Sequence, residues 1–187
     1  MEKNQKRLIV FMPSMDGGGV EKNIIIVTNY LSNFIEKITL ITFDKRFNNQ
    51  FKKNIQIINV QKNYNKHYSK YYKYFFCLKI LARKVIADRN ISVFAFQANV
   101  YCIILSKILN FNLIVRSNSS PSGWTNSWIK NLIFKILFRS PDFVIVNSFQ
   151  FAKEIYKKFN IHAKVIYNPL NKSEILKKCK QKINFNF

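Results

Sequence analysis

Leu8-Ile9-Val10-Phe11-Met12-Pro13-Ser14-Met15-Asp16-Gly17-Gly18-Gly19-Val20-Glu21 is the stretch that decides how this chain folds. A short apolar run ends in a turn of three consecutive glycines, and a helical pattern begins at once. The protein has four glycines in all, so three in one turn mark a place where backbone approaches something closely. Strand, glycine turn and helix in that order is how α/β proteins present backbone N–H groups and a helix N-terminus to a phosphate. The same punctuation also suits a tight turn with no ligand.

Working outward, the alternation continues along the chain. Short apolar, β-branched runs at residues 8–12, 38–43, 55–60, 92–96, 113–116, 143–147 and 164–167 read as strands buried on both faces. Helical patterns lie between them at 19–32, 68–88, 99–109, 126–138 and 149–159. Pro141 and Pro169 push the residues before them out of the α region, and Asn147-Ser148 offers a cap for the helix that follows. Residues 62–73 are rich in Lys, Tyr and Asn and read as beginning in an exposed loop. The expected architecture is α/β: a Rossmann-like parallel sheet with helices on both faces.

The chain has 187 residues, 48% hydrophobic and 21% charged, enough for one domain with a core and not the composition of a disordered chain. Thirty-one Lys and Arg face nine Asp and Glu, a formal net charge of +22. Part of this follows a drift toward Lys, Asn, Ile, Phe and Tyr, as AT-rich coding produces. The shortage of acids is not explained that way and points to an anionic partner: phospholipid, lipid diphosphate, nucleotide or nucleic acid. No RNA-recognition, zinc-finger or homeodomain pattern occurs, and the lysines form no stripe, so nucleic acid is not the expected partner.

Cys77, Cys102 and Cys179 are odd in number and contain no Cys-x-x-Cys, which suggests neither a disulfide framework nor zinc and fits a reduced, cytoplasmic setting. His67 and His162 have no ligand spacing, so neither metal nor other cofactor is expected. Lys3, Lys6 and Arg7 make a basic start, but the apolar run that follows stops at Pro13, shorter than the about 7–15 residues of a signal-peptide core. No stretch approaches the roughly 18 apolar residues of a membrane span. Asn118-Ser119-Ser120 and Asn171-Lys172-Ser173 match the glycosylation triplet, but a cytoplasmic chain would not use them.

The glycine turn is not a dinucleotide fingerprint. Gly17 and Gly19 fit its first two positions, but Lys22 occupies the third, even though Asp44 ends the second strand where a ribose-binding acid would sit. No G-x-x-x-x-G-K-[ST] exists. A parallel sheet would gather the carboxyl ends of its strands on one edge. That edge would hold Gly17–Gly19, Gln97, Asn99, Arg116 with residues 117–120, Asn147-Ser148 and Asn168-Pro169. Arg116 is the one guanidinium there, suited to an anionic or hydroxyl-rich ligand, or else to a salt bridge or a carbonyl. Neither a Ser-His-Asp order nor a glycosidase-like carboxylate pair nor a Cys–His partnership is present. Glu21, in the first helical turn, suits dipole compensation or capping.

Two helices combine aromatics with lysines. In 68–88 the expected core stripe is Tyr71, Phe75, Leu78, Ala82 and Val85, with Tyr72 and Phe76 flanking it and Lys70, Lys73, Arg83 and Lys84 elsewhere. In 126–138 it is Trp128, Ile129, Leu132, Ile133, Ile136 and Leu137. Phe134 and Phe138 widen that stripe, beside Lys130, Lys135 and Arg139. Both patterns serve a helix packed on a sheet. They also serve an anionic membrane surface, at about 1 kcal/mol per lysine or arginine. The residues assigned to that surface are Lys70, Lys73, Phe76, Lys130, Phe134 and Lys135.

Taken in order, residues 8–31, Phe96-Gln97-Ala98-Asn99, Arg116-Ser117-Asn118, the run from Asp142 to Ser148, and Val165-Ile166-Tyr167-Asn168-Pro169-Leu170 resemble the N-terminal domain of family 4 glycosyltransferases, which have the two-domain GT-B fold. The resemblance implies transfer of a sugar from a nucleotide diphosphate donor to a saccharide or lipid-linked acceptor in cell-surface glycan synthesis. It implies that Gly17, Gly18 and Gly19 face the donor diphosphate, where backbone N–H groups stabilise the leaving phosphate. Asp16, Gln97, Asn99, Arg116, Asn118 and Ser148 are implied on the acceptor side, with the protein peripheral on the inner face of the cell membrane. Residues 1–170 would form the acceptor-side domain and 171–187 an interdomain segment or truncated tail. The family's second domain carries a glutamate pair seven residues apart, whereas Glu174 is the one acid after Pro169. The expectation is therefore no transfer by this chain alone, and a donor-binding half supplied by another polypeptide or lost by truncation. The competing expectation is a non-enzymatic basic α/β module on anionic membrane or nucleic acid.

Overall fold

The computed structural model describes residues 7–61, 68–118, 127–170, 175–176 and 179. Its strands are β1 (Arg7–Phe11), β2 (Lys37–Thr42), β3 (Ile55–Asn59), β4 (Ile91–Ala95), β5 (Leu113–Ser117), β6 (Phe143–Val146) and β7 (Lys164–Val165). Its helices are α1 (Gly19–Leu31), α2 (Lys70–Ala87), α3 (Asn99–Leu109), α4 (Trp128–Leu137) and α5 (Phe149–Phe159). The strands form one parallel sheet in the order β3-β2-β1-β4-β5-β6-β7. This is the expected Rossmann-like α/β architecture, with element ends within one or two residues of the sequence reading. Residues 62–67, most of 171–187 and the two glycosylation triplets past Asn118 lie outside the described residues.

The strand order explains how the helices divide. Crossovers between parallel strands are right-handed, so a helix lands on one face when the chain steps one way and on the other when it steps back. Only the β1-to-β2 step carries a helix in the first direction, because a single 3-10 turn at Asn48–Gln50 lies between β2 and β3. Accordingly α1 alone, through Ile24 and Ile25, packs on Leu8, Val10, Leu40, Phe94 and Ile145. The other four helices share the opposite face, where Cys77, Leu81, Cys102, Ile103, Phe138, Ile155 and Phe159 bury Ile9, Phe11, Val93 and Val115. Alternate residues of β1 serve the two cores, as period-2 side-chain alternation requires.

Two expected helix faces are corrected. The buried face of α2 is Tyr74, Cys77, Leu81 and Val85; of the expected stripe Val85 is buried and Leu78 packs against the core, while Tyr71 and Phe75 are exposed. Both stripes have helical spacing, so periodicity alone does not choose between them. Lys73, one turn before Cys77, lies on the inward side and its ammonium reaches Asp44 at the sheet edge. On α4 the inward residues are Phe134, Leu137 and Phe138, and the expected core positions Trp128, Ile129, Leu132, Ile133 and Ile136 are exposed.

Candidate functional site

β1 and β4 are neighbours, and the chain leaves them in opposite lateral directions. The crevice beyond the carboxyl ends of such a pair is where open α/β sheets bind ligands. Two segments meet there: 12–18, after β1, and 96–98, after β4. Ser14 donates its backbone N–H to the Gln97 side-chain oxygen at 2.9 Å and so ties them together.

The glycines of the turn have different tasks. Gly17 has φ +97°, a conformation that an L side chain rarely adopts. Gly18 is the N-cap of α1. Its N–H donates to Glu21 Oε2 at 2.8 Å, and the Asp16 N–H donates to Glu21 Oε1 at 3.2 Å. This is half of a capping box, because glycine has no side chain to return the bond. A Cβ on Gly18 would stand 3.1 Å from that carboxylate oxygen, whereas one on Gly19 would meet nothing within 4 Å. The first intrahelical bond of α1 runs from the Lys22 N–H to the Gly18 carbonyl. The N–H groups of Gly19, Val20 and Glu21 precede it and have no side-chain cap. Of the three donors anticipated for an anion, that of Gly18 is therefore already satisfied by Glu21, whereas those of Gly17 and Gly19 make no hydrogen bond among the described residues.

Behind the turn is an ion cluster for which the sequence carries no local signal. Lys73 Nζ donates to Asp44 Oδ1 at 3.0 Å, Asp16 Oδ1 at 3.2 Å and Ser14 Oγ at 3.2 Å. Ser14 Oγ donates to Asp16 Oδ2 at 2.8 Å, and the Met15 N–H to Asp44 Oδ2 at 2.9 Å. The Lys73 and Asp44 side chains are largely buried, whereas that of Asp16 is 76% exposed. Burial works against the charged Lys73, but Asp44 and Asp16 outweigh it and hold the ammonium above its ordinary pKa. Burial likewise works to raise Asp16, and the Ser14 and Lys73 hydrogen bonds hold its carboxyl below the usual range. Asp44, which stood where a ribose-binding acid belongs, is thus engaged by Lys73 and the Met15 N–H.

A cleft of about 510 Å³ opens beside the turn. Glu21, Gln97, Asn99, Arg116, Asn118 and Lys70 supply its polar wall, and Met12, Phe96, Tyr101, Phe134 and Phe138 are among its apolar lining. Ala98 caps α3 in the left-handed conformation at φ 59°, an uncommon state for a residue with a Cβ and one that clusters at ligand sites. Asn99 donates its amide to the Arg116 carbonyl at 2.9 Å, and its own Oδ1 is buried without a partner. Arg116 is 1% exposed. It donates to Asn118 Oδ1, the Ile166 carbonyl and Asn168 Oδ1 at 3.3, 3.1 and 2.9 Å, and its guanidinium lies over the Phe96 ring. Burial lowers its pKa, yet a guanidinium stays charged at any ordinary pH.

Gln97, Asn99, Arg116 and Asn118 are therefore brought together. Asp16, on the glycine turn, is not among the cleft residues: its carboxylate is engaged by Ser14 and Lys73. Ser148 is not among the cleft residues: its hydroxyl accepts from the Phe151 N–H at 3.2 Å and caps α5. The six residues assigned to a membrane surface lie on α2 and α4. Lys70 and Phe134 line the cleft, Lys73 is held in the ion cluster, and Phe76 packs tilted against Tyr72 with centroids 4.5 Å apart. Lys135 is half-buried on α4, and the Lys130 side chain lies outside the described residues. The face of α4 that is exposed consists of Trp128, Ile129, Leu132, Ile133 and Ile136. Among the described residues no helix is long and apolar enough to cross a membrane, and no group of three or more His, Cys, Asp or Glu is placed to hold a metal.

No protein-family model matches this chain, and no curated protein matches it. Solved structures do. HepE of Anabaena, solved with UDP and glucose, superposes with a TM-score of 0.62 at 16% identity, covering 88% of this chain and 45% of HepE. A glycosyltransferase from Rickettsia africae superposes at 0.59 and 16% identity, over 95% of this chain and 49% of its own. A UGT transferase from Siraitia grosvenorii, solved with UDP, gives 0.55 at 12% identity, over 91% and 53%. The fold is thus the Rossmann-like α/β arrangement found in GT-B glycosyltransferases. The chain spans about half the length of these proteins.

Proposed function

We propose that this chain is the acceptor-side, N-terminal domain of a family 4-type GT-B glycosyltransferase. It would bind a saccharide or lipid-linked acceptor of a cell-surface glycan, for transfer of a sugar from a nucleotide diphosphate donor. The observation that carries this is the pairing, at the β1/β4 switch point, of an uncapped α1 N-terminus with a cleft walled by Gln97, Asn99, Arg116 and Asn118. Structural likeness to proteins solved with UDP and with UDP-glucose supports a nucleotide-sugar donor.

In this reading the cleft orients the acceptor by hydrogen bonds from neutral amides and one guanidinium. The N–H groups of Gly19 and Val20 face the donor diphosphate and stabilise charge on the leaving phosphate. Glu21 holds the turn in shape through the Asp16 and Gly18 N–H groups, so the open donors are pre-organised. Most donor contacts come from a second half, and the chain alone transfers no sugar. The net charge of +22 and the exposed apolar face of α4 support a position on an anionic inner membrane surface.

Amide NMR of the chain tests the acceptor assignment. Acceptor saccharides are expected to shift Asn99, Tyr101 and Ser117, and UDP-sugar to shift Gly19 and Val20 weakly. If no saccharide, free or lipid-linked, moves the cleft amides, the assignment is wrong. Robust transfer by this chain alone would overturn the two-half division.

A further inference from the structure

Among the described residues Arg116 presents a charge without a counter-charge. The guanidinium is 1% exposed, and the three acceptors it meets are neutral. Its Nη1 has no hydrogen-bond partner among the described residues. A buried cation in this state is costly unless something completes it. Arg116 lines the cleft, and so does the first turn of α3, with Asn99, Val100 and Tyr101. The first intrahelical bond of α3 runs from the Cys102 N–H to the Ala98 carbonyl, and Ala98 has no side-chain oxygen to cap the N–H groups before it. Glu21, the one carboxylate among the cleft residues, is already engaged by the Asp16 and Gly18 N–H groups.

We infer that Arg116 and the open N-terminus of α3 form an oxyanion site, which the acceptor fills with a phosphoryl or carboxylate group next to the sugar it presents. The inference rests on the reading of the cleft as an acceptor site. An oxyanion there takes hydrogen bonds from the guanidinium and from helix N–H groups at once, as anions at helix N-termini do. It also supplies the charge that Asn118, Asn168 and the Ile166 carbonyl do not.

The test is titration of the full chain at physiological salt, by calorimetry and amide NMR, with methyl phosphate, pyrophosphate, glucuronate and, as the neutral probe, methyl glucoside. The expected result is one saturable anion site that shifts the amides of Asn99, Val100 and Tyr101. Affinity should fall at least tenfold in Arg116→Gln, recover in part in Arg116→Lys and stay unchanged in Lys157→Gln, which reports general charge. The phosphate and glucuronate arms show which oxyanion is preferred. Arg116 also holds the chain at Ile166 and Asn168, so a second variant keeps the test independent of folding. Tyr101→Glu puts a carboxylate on the exposed third position of α3, where it favours the helix, and should abolish anion binding with little change in Tm. Anion binding that Lys157→Gln weakens as much as Arg116→Gln, or that leaves the α3 amides unmoved, overturns the inference. If methyl glucoside shifts the cleft and no anion does, the oxyanion site is wrong and the acceptor reading stands. If anions bind through Arg116 and no saccharide shifts the cleft, the acceptor reading is wrong instead.

Discussion

Three adjacent glycines with one side-chain hydrogen each are not equivalent, because each meets a different neighbour. Gly17 is required by its φ of +97°, so Gly17→Ala should lower stability by about 1–2 kcal/mol, read as the denaturant midpoint. Gly19 has open space where a Cβ would go and a helical conformation. Gly19→Ala should therefore leave Tm unchanged or raise it slightly, since alanine is the better helix former. The added methyl should still weaken the UDP-sugar response, because it stands where the diphosphate is expected. If Gly19→Ala destabilises the fold, the turn is structural throughout. Lys73 is the other decisive residue. Lys73→Met leaves Asp44 and Asp16 without their cation and should cost about 2–3 kcal/mol, discounted from a fully buried pair because Asp16 is exposed. The pH dependence has two signs. The Asp16 carboxyl is held below its ordinary 3.8, so its contribution is present above that pH and is lost as pH falls through the folded value. The Lys73 ammonium is held above 10.5, so its contribution is complete below that pH and lost as pH rises through the folded value. Denaturation midpoints against pH should show a plateau between these limits, with the alkaline decline missing in Lys73→Met.

At the scale of elements, α2 and α4 show what helical periodicity leaves open. Each carries two apolar stripes, and the one that faces the protein makes contacts far away in sequence: Lys73 with Asp44 for α2, and Phe134 and Phe138 against the core for α4. The stripe left outside on α4 has a consequence that can be measured. Ile133→Glu places a charge on an already exposed position, so Tm should stay within a degree or two, while binding to anionic liposomes should fall about tenfold or more. Equal binding by the two forms, or binding indifferent to lipid charge, would leave the α4 face without a membrane role. Helix ends were more legible than helix faces. Ser148 before Phe149 and proline after Ser140 act within a turn of the backbone they control, and such signals need no tertiary partner.

At the scale of the molecule, burial separates the three cysteines. Cys77 and Cys102 lie in the core, where burial pushes both thiols well up, and Cys179 is exposed. Alkylation of the native protein near neutral pH should label Cys179 at once and the other two only after denaturation; early labelling of Cys102 would contradict the packing of α3 on the sheet. The sequence by itself determined that the protein is a parallel α/β sheet, because buried strands and amphipathic helices have distinct periods. It also determined that Gln97, Asn99, Arg116 and Asn118 share one edge, because a parallel sheet gathers the carboxyl ends of its strands on the same side. Of the site, Gln97, Asn99, Arg116 and Asn118 were legible for that reason. Only the tertiary structure decided that β1 lies beside β4, and hence where the crevice opens. Only it decided that Glu21 occupies the Gly18 N–H, that Lys73 belongs to Asp44 and Asp16, and that Arg116 is buried with no counter-charge among the described residues. Each of these depends on distances between groups that come together in space only when a strand order is chosen, and strand order is a property of the whole sheet, set by no local period.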